Sequence, residues 1–195
     1  MQIKKAEFRK TLVRDFADYN GEFPEIAFVG KSNVGKSSLI NMLTNNSKLA
    51  YVSKKQGKTR VINYYLINDS FYFIDLPGYG FANASKEEMI KWSSMIERYF
   101  EESNCLKCVF LLMDIRRNVS EFDELMIRYA FDLGIPVKVV LTKADKIAKS
   151  KRKTEIFRFI RELANYNITD IVPVSSEDRY GKEELLKKIE ECLSS

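Results

Sequence analysis

The sequence predicts an α/β three-layer sandwich: a mostly parallel six-stranded sheet with one antiparallel strand, and helices on both faces. Three observations carry this expectation. Short β-type runs alternate with amphipathic helical segments along most of the 195 residues. A glycine-rich loop from Gly30 to Ser37 stands between the apolar run Ile26-Ala27-Phe28-Val29 and the helix-like Ser38-Leu39-Ile40-Asn41-Met42-Leu43. Two β-runs are separated only by Asn68-Asp69-Ser70, a hairpin-sized turn that makes that pair antiparallel.

Taken in order, a short helix is expected near residues 6–16, within a helical extension over 1–22. Strands are expected at 25–29, 61–67, 71–75, 107–114, 137–142 and 170–174. The helix over 85–104 opens with a capping box, Ser85 and Glu88, and lines up Met89, Trp92, Ile96 and Tyr99 on one face. A second, over 121–133, repeats Phe122, Leu125, Met126, Tyr129, Ala130 and Leu133 at helical spacing until Gly134 stops it. Helices over 153–164 and 182–193 complete the set. The stretch 45–60 has no clear periodicity, and it is polar and basic, with Lys48, Lys54, Lys55, Gln56, Gly57 and Lys58. A loop of that length in a compact domain is expected to be functional or mobile.

Composition sets bounds. With 45% hydrophobic and 30% charged residues, the chain reads as one globular domain able to bury a core. No apolar run approaches the ~20 residues of a spanning helix, and residues 1–10 lack the apolar core of a signal peptide. The expected location is cytoplasmic. The absence of histidine excludes His-based catalysis and most zinc sites. Cys105 and Cys108 form a C-x-x-C, but Cys192 is the only other thiol, too few for a four-thiolate zinc. Free or buried thiols in a reducing compartment are expected, with a redox pair as the alternative. A net charge of +5 permits an acidic partner such as RNA and equally fits an ion-paired surface.

The chemistry lies in five segments. Gly30-Lys31-Ser32-Asn33-Val34-Gly35-Lys36-Ser37, followed by Ser38, matches the G-x-x-x-x-G-K-[ST] phosphate loop. Its backbone N–H groups and the helix N-terminus suit a polyphosphate. Lys36 can reach the outer phosphates, and the Ser37 hydroxyl can ligate Mg²⁺. Asp75-Leu76-Pro77-Gly78 ends a strand, with Asp75 placed to hold Mg²⁺ through water and the Gly78 N–H to meet a γ-phosphate. Thr142-Lys143-Ala144-Asp145 follows another strand. A carboxylate only accepts, and guanine presents N1–H and its 2-amino group side by side where adenine presents no such pair. Asp145 can therefore select GTP over ATP. Val174-Ser175-Ser176 follows the last strand and can offer N–H groups to guanine O6. Gly57-Lys58-Thr59-Arg60-Val61 closes the basic loop, where Thr59 can complete the Mg²⁺ shell when a γ-phosphate is present. The expected catalytic residues are Lys36, Thr59 and Gly78, and the expected metal ligands are Ser37, Thr59 and Asp75.

These segments fall in GTPase order over roughly 25–176, so the chain resembles a translation-factor-class P-loop GTPase. The stretches from Pro24 to Asn41, Gly57 to Arg60 and Asp75 to Ala82, with Trp92 and T-K-A-D-K, are similar to the EngB/YsxC/YihA family. The resemblance covers most of the chain. It implies a P-loop GTPase sandwich forming a single G domain over 1–195, a monomer that binds GTP and GDP with Mg²⁺. It further implies a bacterial factor that helps assemble the large ribosomal subunit, with rRNA and ribosomal proteins as partners. Growth, cell division and septation would depend on it. The departures from the family pattern are Lys54-Lys55-Gln56 before Gly57, where a Pro is often seen, and the Ser176-Glu177-Asp178 end of the last motif, while Thr142 stands where GTPases in general carry Asn.

Tyr79 stands where Ras-like proteins carry a water-orienting Gln, so slow intrinsic hydrolysis completed by a partner or ion is expected. Asn33 makes K⁺ a candidate ion, the alternative being a backbone brace. Arg60, Arg116 and Arg117 are candidate charge suppliers or ribosome-facing cations, and Lys146, Lys149, Lys151, Arg152, Lys153, Arg158 and Arg161 form a candidate RNA-binding face. Two other readings use the same loop. Asp145 and the lack of an Arg-rich lid count against a small-molecule kinase. The lack of a spanning or lipid-attachment segment counts against a membrane-transport or signalling module.

Overall fold

The computed structural model describes residues 1–12, 22–51, 61–80 and 85–194. In chain order it contains β1 (Ala6–Leu12), β2 (Glu25–Gly30), α1 (Lys36–Thr44), β3 (Ile62–Ile67), β4 (Phe71–Asp75), α2 (Lys86–Glu102) and β5 (Leu106–Asp114). These are followed by α3 (Glu121–Asp132), β6 (Val137–Thr142), α4 (Lys149–Glu162), β7 (Ile171–Pro173) and α5 (Lys182–Leu193). Among the described residues the strands form one seven-stranded sheet in the order β1-β3-β4-β2-β5-β6-β7. β3 pairs antiparallel with both β1 and β4, and the remaining pairings are parallel. One strand therefore runs against the other six, as expected.

Strand side chains alternate between faces, and β2 shows how this builds two cores. Ala27 and Val29 point into a cluster with Ile96, Tyr99 and Phe100 of α2, Met126 and Ile127 of α3, and Phe159 of α4. Ile26 and Phe28 point into the opposite cluster, with Leu39, Ile40 and Leu43 of α1 and Leu185, Leu186 and Ile189 of α5. Cys108 and Cys192 both lie in this second cluster, Cys105 is partly exposed, and none of the three forms a disulfide. Of the expected apolar stripes, Trp92, Ile96 and Tyr99 of α2 and Phe122, Met126, Tyr129 and Ala130 of α3 pack in the first cluster, whereas Met89, Leu125 and Leu133 are exposed.

The sheet has seven strands rather than the expected six. The extra strand is β1, which occupies most of the segment expected to be helical at 6–16; residues 13–21 lie outside the described residues. The reason is tertiary: β3 has an open edge, and it supplies backbone partners from Ala6↔Ile67 to Leu12↔Ile62, with a register shift between Phe8 and Lys10. Phe8 meets Tyr65 edge-on at 6.0 Å, and the Thr11 hydroxyl donates to Asn63 Oδ1 at 2.8 Å. Such pairing overrides a weak helical preference. α4 also starts earlier than expected, at Lys149, without a side-chain cap.

The parallel strand order reverses around β2, which lies between β4 and β5. In open α/β sheets the crevice outside the carboxyl ends of the strands at such a point is where ligands bind. The phosphate loop leaves β2 at that place.

Candidate functional site

The loop turns off β2 at Gly30, where a Cβ would lie 2.6 Å from the Leu112 carbonyl oxygen of β5, so any side chain would force the strands apart. It enters α1 through Gly35, which has φ +108° and suits only glycine. The Asp75-to-Tyr79 segment runs along the loop and is stitched to it. Leu76 N–H donates to Phe28 O at 3.1 Å, Ser32 N–H to Tyr79 O at 2.8 Å and Tyr79 N–H to Gly30 O at 3.3 Å. Gly78 passes so close that a Cβ would lie 3.1 Å from Gly30 O and 3.2 Å from Ser32 N. At the base of this arrangement the Lys36 ammonium contacts the buried Asp75 carboxylate. Burial pulls the Lys36 pKa down to about 7, and the adjoining carboxylate opposes that by favouring the charged form. The lysine expected to reach the phosphates and the carboxylate expected to hold a metal thus converge.

Tyr79 is turned away from this point. Its ring is buried, stacked on Phe122 at 6.0 Å and edge-on to Trp92 at 5.5 Å, and its hydroxyl donates to Asp123. Burial first, and then the Asp123 charge, pushes the phenol pKa well above its ordinary value, so it stays a neutral donor. Asp123 also accepts from Ser120 N–H at 2.8 Å and Ser120 Oγ at 2.6 Å, the capping box of α3. Trp92 Nε1 donates to Pro77 O at 2.8 Å. Segment 77–79 is therefore clamped between α2 and α3. Sequence reasoning missed Asp123, whose only signal was Ser120 three residues before it. Tyr79→Phe is expected to lower stability by about 1–3 kcal/mol, because a buried carboxylate loses a donor. GDP affinity should be nearly unchanged; urea denaturation and nucleotide titration together check this.

The segments expected to read the base lie at the ends of β6 and β7. The Thr142 hydroxyl donates within 2.7 Å of Val34 O and 3.2 Å of Met113 O, so a hydroxyl suffices to tie this segment to the phosphate loop. Lys143 Nζ lies 2.8 Å from Asn33 O and 3.2 Å from Asp114 Oδ2. Ala144 N–H donates to Val174 O at 3.0 Å, which joins the two segments. The Asp145 carboxylate is 17% exposed and lies 2.9 Å from Lys146 Nζ. Burial works against its charge, but Lys146 and the Ser175 hydroxyl hold its pKa below the usual carboxylate value, leaving it an ionised acceptor at neutral pH. Ser175 is fully buried, and Ser176 follows it half-buried.

Other expected residues fall elsewhere. Gly57, Lys58, Thr59 and Arg60 lie outside the described residues, and Val61 leads into β3. The beginning of the 45–60 stretch is pinned: the buried Asn41 amide donates to Ser47 O at 3.1 Å and Ala50 O at 2.9 Å, and accepts from Ala50 N–H at 2.7 Å. Arg116 forks onto Asp114 at 2.9 and 2.7 Å. Burial raises the Asp114 pKa, but Arg116 and Lys143 outweigh it and hold it at about 2. Arg116 is thus engaged rather than a free charge supplier. A cleft of about 400 Å³ beside the phosphate loop is lined by Lys31, Asn33, Asp114, Arg116, Arg117 and Lys143, among others. Two members of the expected basic face are also internal struts. Arg158 grips Glu155, Glu162 and the carbonyls of Ile115 and Arg117, while Arg152 is only 6% exposed. Lys146, Lys149, Lys151, Lys153 and Arg161 are exposed.

This geometry agrees with the comparisons. A family model described as a 50S ribosome-binding GTPase matches residues 25–143. A Kosmotoga olearia protein described as probable GTP-binding protein EngB is 45% identical over 96% of this chain and 98% of its own. A Clostridioides difficile protein of the same description is 43% identical over 97% of this chain and 93% of its own. The chain belongs to the EngB family. A crystal structure of a probable GTP-binding protein EngB covers 87% of this chain and 98% of its own, at TM-score 0.70 and 25% identity. An Aquifex aeolicus Era variant bound to GDP·AlF₄⁻ reaches TM-score 0.70 at 29% identity, over 87% of this chain and 56% of its own. As an EngB-family member this protein is a GTP-binding protein and a GTPase. Among the described residues, no helix is long and apolar enough to cross a membrane.

Proposed function

We propose that this EngB-family protein is a slow, Mg²⁺-dependent GTPase switch in assembly of the large ribosomal subunit. In this reading residues 1–195 act as a single G domain, monomeric and cytoplasmic, and normal growth, division and septation depend on it. The observation that carries the ribosomal part is the match of residues 25–143 to a family described as 50S ribosome-binding GTPases. A related Era structure, 29% identical at TM-score 0.67, is described in complex with nucleotides of 16S ribosomal RNA, which is consistent with an RNA partner.

Ser37 and Asp75 would hold Mg²⁺, joined by Thr59. One carboxylate with hydroxyls suits an ion that keeps several waters and shares substrate phosphates, and no denser acidic cluster occurs among the described residues. When bound, the ion would neutralise charge developing on the phosphates. Lys36 would bind the outer phosphates, and Gly78, held against the loop, would place its N–H toward the terminal one. Slow turnover follows from Tyr79, whose hydroxyl is committed to Asp123.

Asn33 would help hold a K⁺ ion beside the phosphates. It also has φ 63°, a conformation asparagine tolerates, so it serves the backbone as well. Asn33→Gly keeps that conformation and removes the amide. Hydrolysis is expected to be faster in KCl than in NaCl for the natural protein and equal in both for Asn33→Gly. Equal wild-type rates in the two salts end the K⁺ assignment.

Co-sedimentation with purified large subunits, with GDP or a non-hydrolysable GTP analogue, tests the function. Binding is expected to depend on nucleotide and to weaken linearly in log affinity against log salt. Reversal of the exposed Lys149, Lys151 and Lys153 to Glu should reduce the salt slope by about 0.7–0.9 for each phosphate the protein no longer neutralises. Binding unmoved by salt and by this triple reversal would remove the α4 face from the interface. No binding in any nucleotide state would remove the ribosome.

A further inference from the structure

We propose that Arg152 is a positioning residue for guanine recognition, locking the loop that carries Asp145 to the loop that carries Ser175. The inference rests on Asp145 as the reader of the base. Arg152 projects from the first turn of α4 and is 6% exposed. Its Nε donates to Ala144 O at 3.0 Å, the carbonyl immediately before Asp145. Its guanidinium carbon lies 4.2 Å from the centroid of the Tyr180 ring. Tyr180 is tied in turn to the second loop, for its carbonyl accepts from Ser175 N–H at 3.0 Å. The circuit closes through Ala144 N–H, which donates to Val174 O at 3.0 Å. Asp145 and Ser175 both hang from this ring of contacts, and the Ser175 hydroxyl supports the Asp145 carboxylate.

The residue type fits the task. Guanidinium is planar, always charged and able to donate at its edge while its face rests on an aromatic ring. Lysine offers neither the fixed donor direction nor the stacking face. A buried charge is costly unless its partners are well placed, and a plain packing role at this point of α4 could be filled by an apolar side chain. What a guanidinium adds is one rigid bridge between two loops that must present their groups to the two edges of a base.

Paired titrations with GDP and IDP provide the test. IDP lacks the 2-amino group but keeps N1–H, so the ratio of the two affinities measures how well the Asp145 carboxylate is placed for the 2-amino donor. A general loss of stability lowers both affinities and leaves the ratio intact. Arg152→Lys and Tyr180→Ala are each expected to lower the GDP-to-IDP preference by about fivefold to tenfold, a fraction of the effect of losing one hydrogen bond to a charged group. Tyr180→Phe keeps the ring and should retain the natural ratio. Tyr180 is 41% exposed, so its variants serve if Arg152→Lys does not fold. An unchanged ratio in Tyr180→Ala, or in a folded Arg152→Lys, overturns the proposal. Asp145→Asn, titrated in parallel with GDP and XDP, separates the two levels: if it keeps the guanine preference, the base-reading assignment fails and the role of Arg152 fails with it.

Discussion

Lys36→Ala is expected to lose tight nucleotide binding, by about a hundredfold or more, and to unfold more easily as a separate effect. The binding loss follows from removing a charge-assisted contact to the outer phosphates, two orders of magnitude corresponding to about 2.7 kcal/mol. The stability loss follows from Asp75. Its side chain is only 8% exposed and pairs with Lys36, and truncating one partner of such a pair costs about 3–5 kcal/mol because a buried charge is left uncompensated. The two effects can be parted. Adding Asp75→Asn removes the stranded charge, so the double variant should regain part of the lost stability and none of the affinity. Isothermal titration in Mg²⁺ and urea denaturation read the two quantities. Ser37→Ala should leave stability nearly unchanged and lose the Mg²⁺ dependence of binding. Natural affinity in both single variants would contradict the phosphate cradle.

Asp145→Asn should move base choice from guanine toward xanthine by about a hundredfold or more, since sites that hydrogen-bond a substrate polar group reject analogues lacking it by large factors. The amide keeps the shape of the carboxylate and supplies a donor where xanthine presents a carbonyl. Lys146 and Ser175, which favour the charge of Asp145, have less to act on in the variant, so GTP affinity itself should fall. A folded variant that still prefers GTP over XTP by the natural margin would show that another group reads the base.

The places of the phosphate loop, Asp75, Asp145 and Ser175 in the fold were legible because each follows or ends an apolar run of strand length. Five helices and six of the strands were legible because local periodicity and capping residues mark them. What escaped depended on distant partners. Strand β1 exists because β3, some 50 residues on, leaves an edge to pair with, and nothing within residues 6–12 announces that. Arg152 and Arg158 look in sequence like their lysine neighbours in a basic run. Their burial depends on Ala144, Tyr180, Glu155 and Glu162 coming together around α4. Tyr79 was identified as a substitute for a catalytic Gln, but its direction was set by Asp123, 44 positions away.

The clamp on Pro77 has an optical consequence. The chain contains one tryptophan, and Trp92 is bonded through its indole N–H to Pro77 O and set edge-on to Tyr79. All tryptophan emission from this protein therefore arises beside the segment that ends in Gly78. A carbonyl on the indole N–H and a phenol at the ring edge both influence the excited state, so displacement of residues 77–79 changes intensity and wavelength without any attached dye. Stopped-flow emission at this single indole can time the segment's movement as GTP binds, as phosphate leaves and as a partner docks.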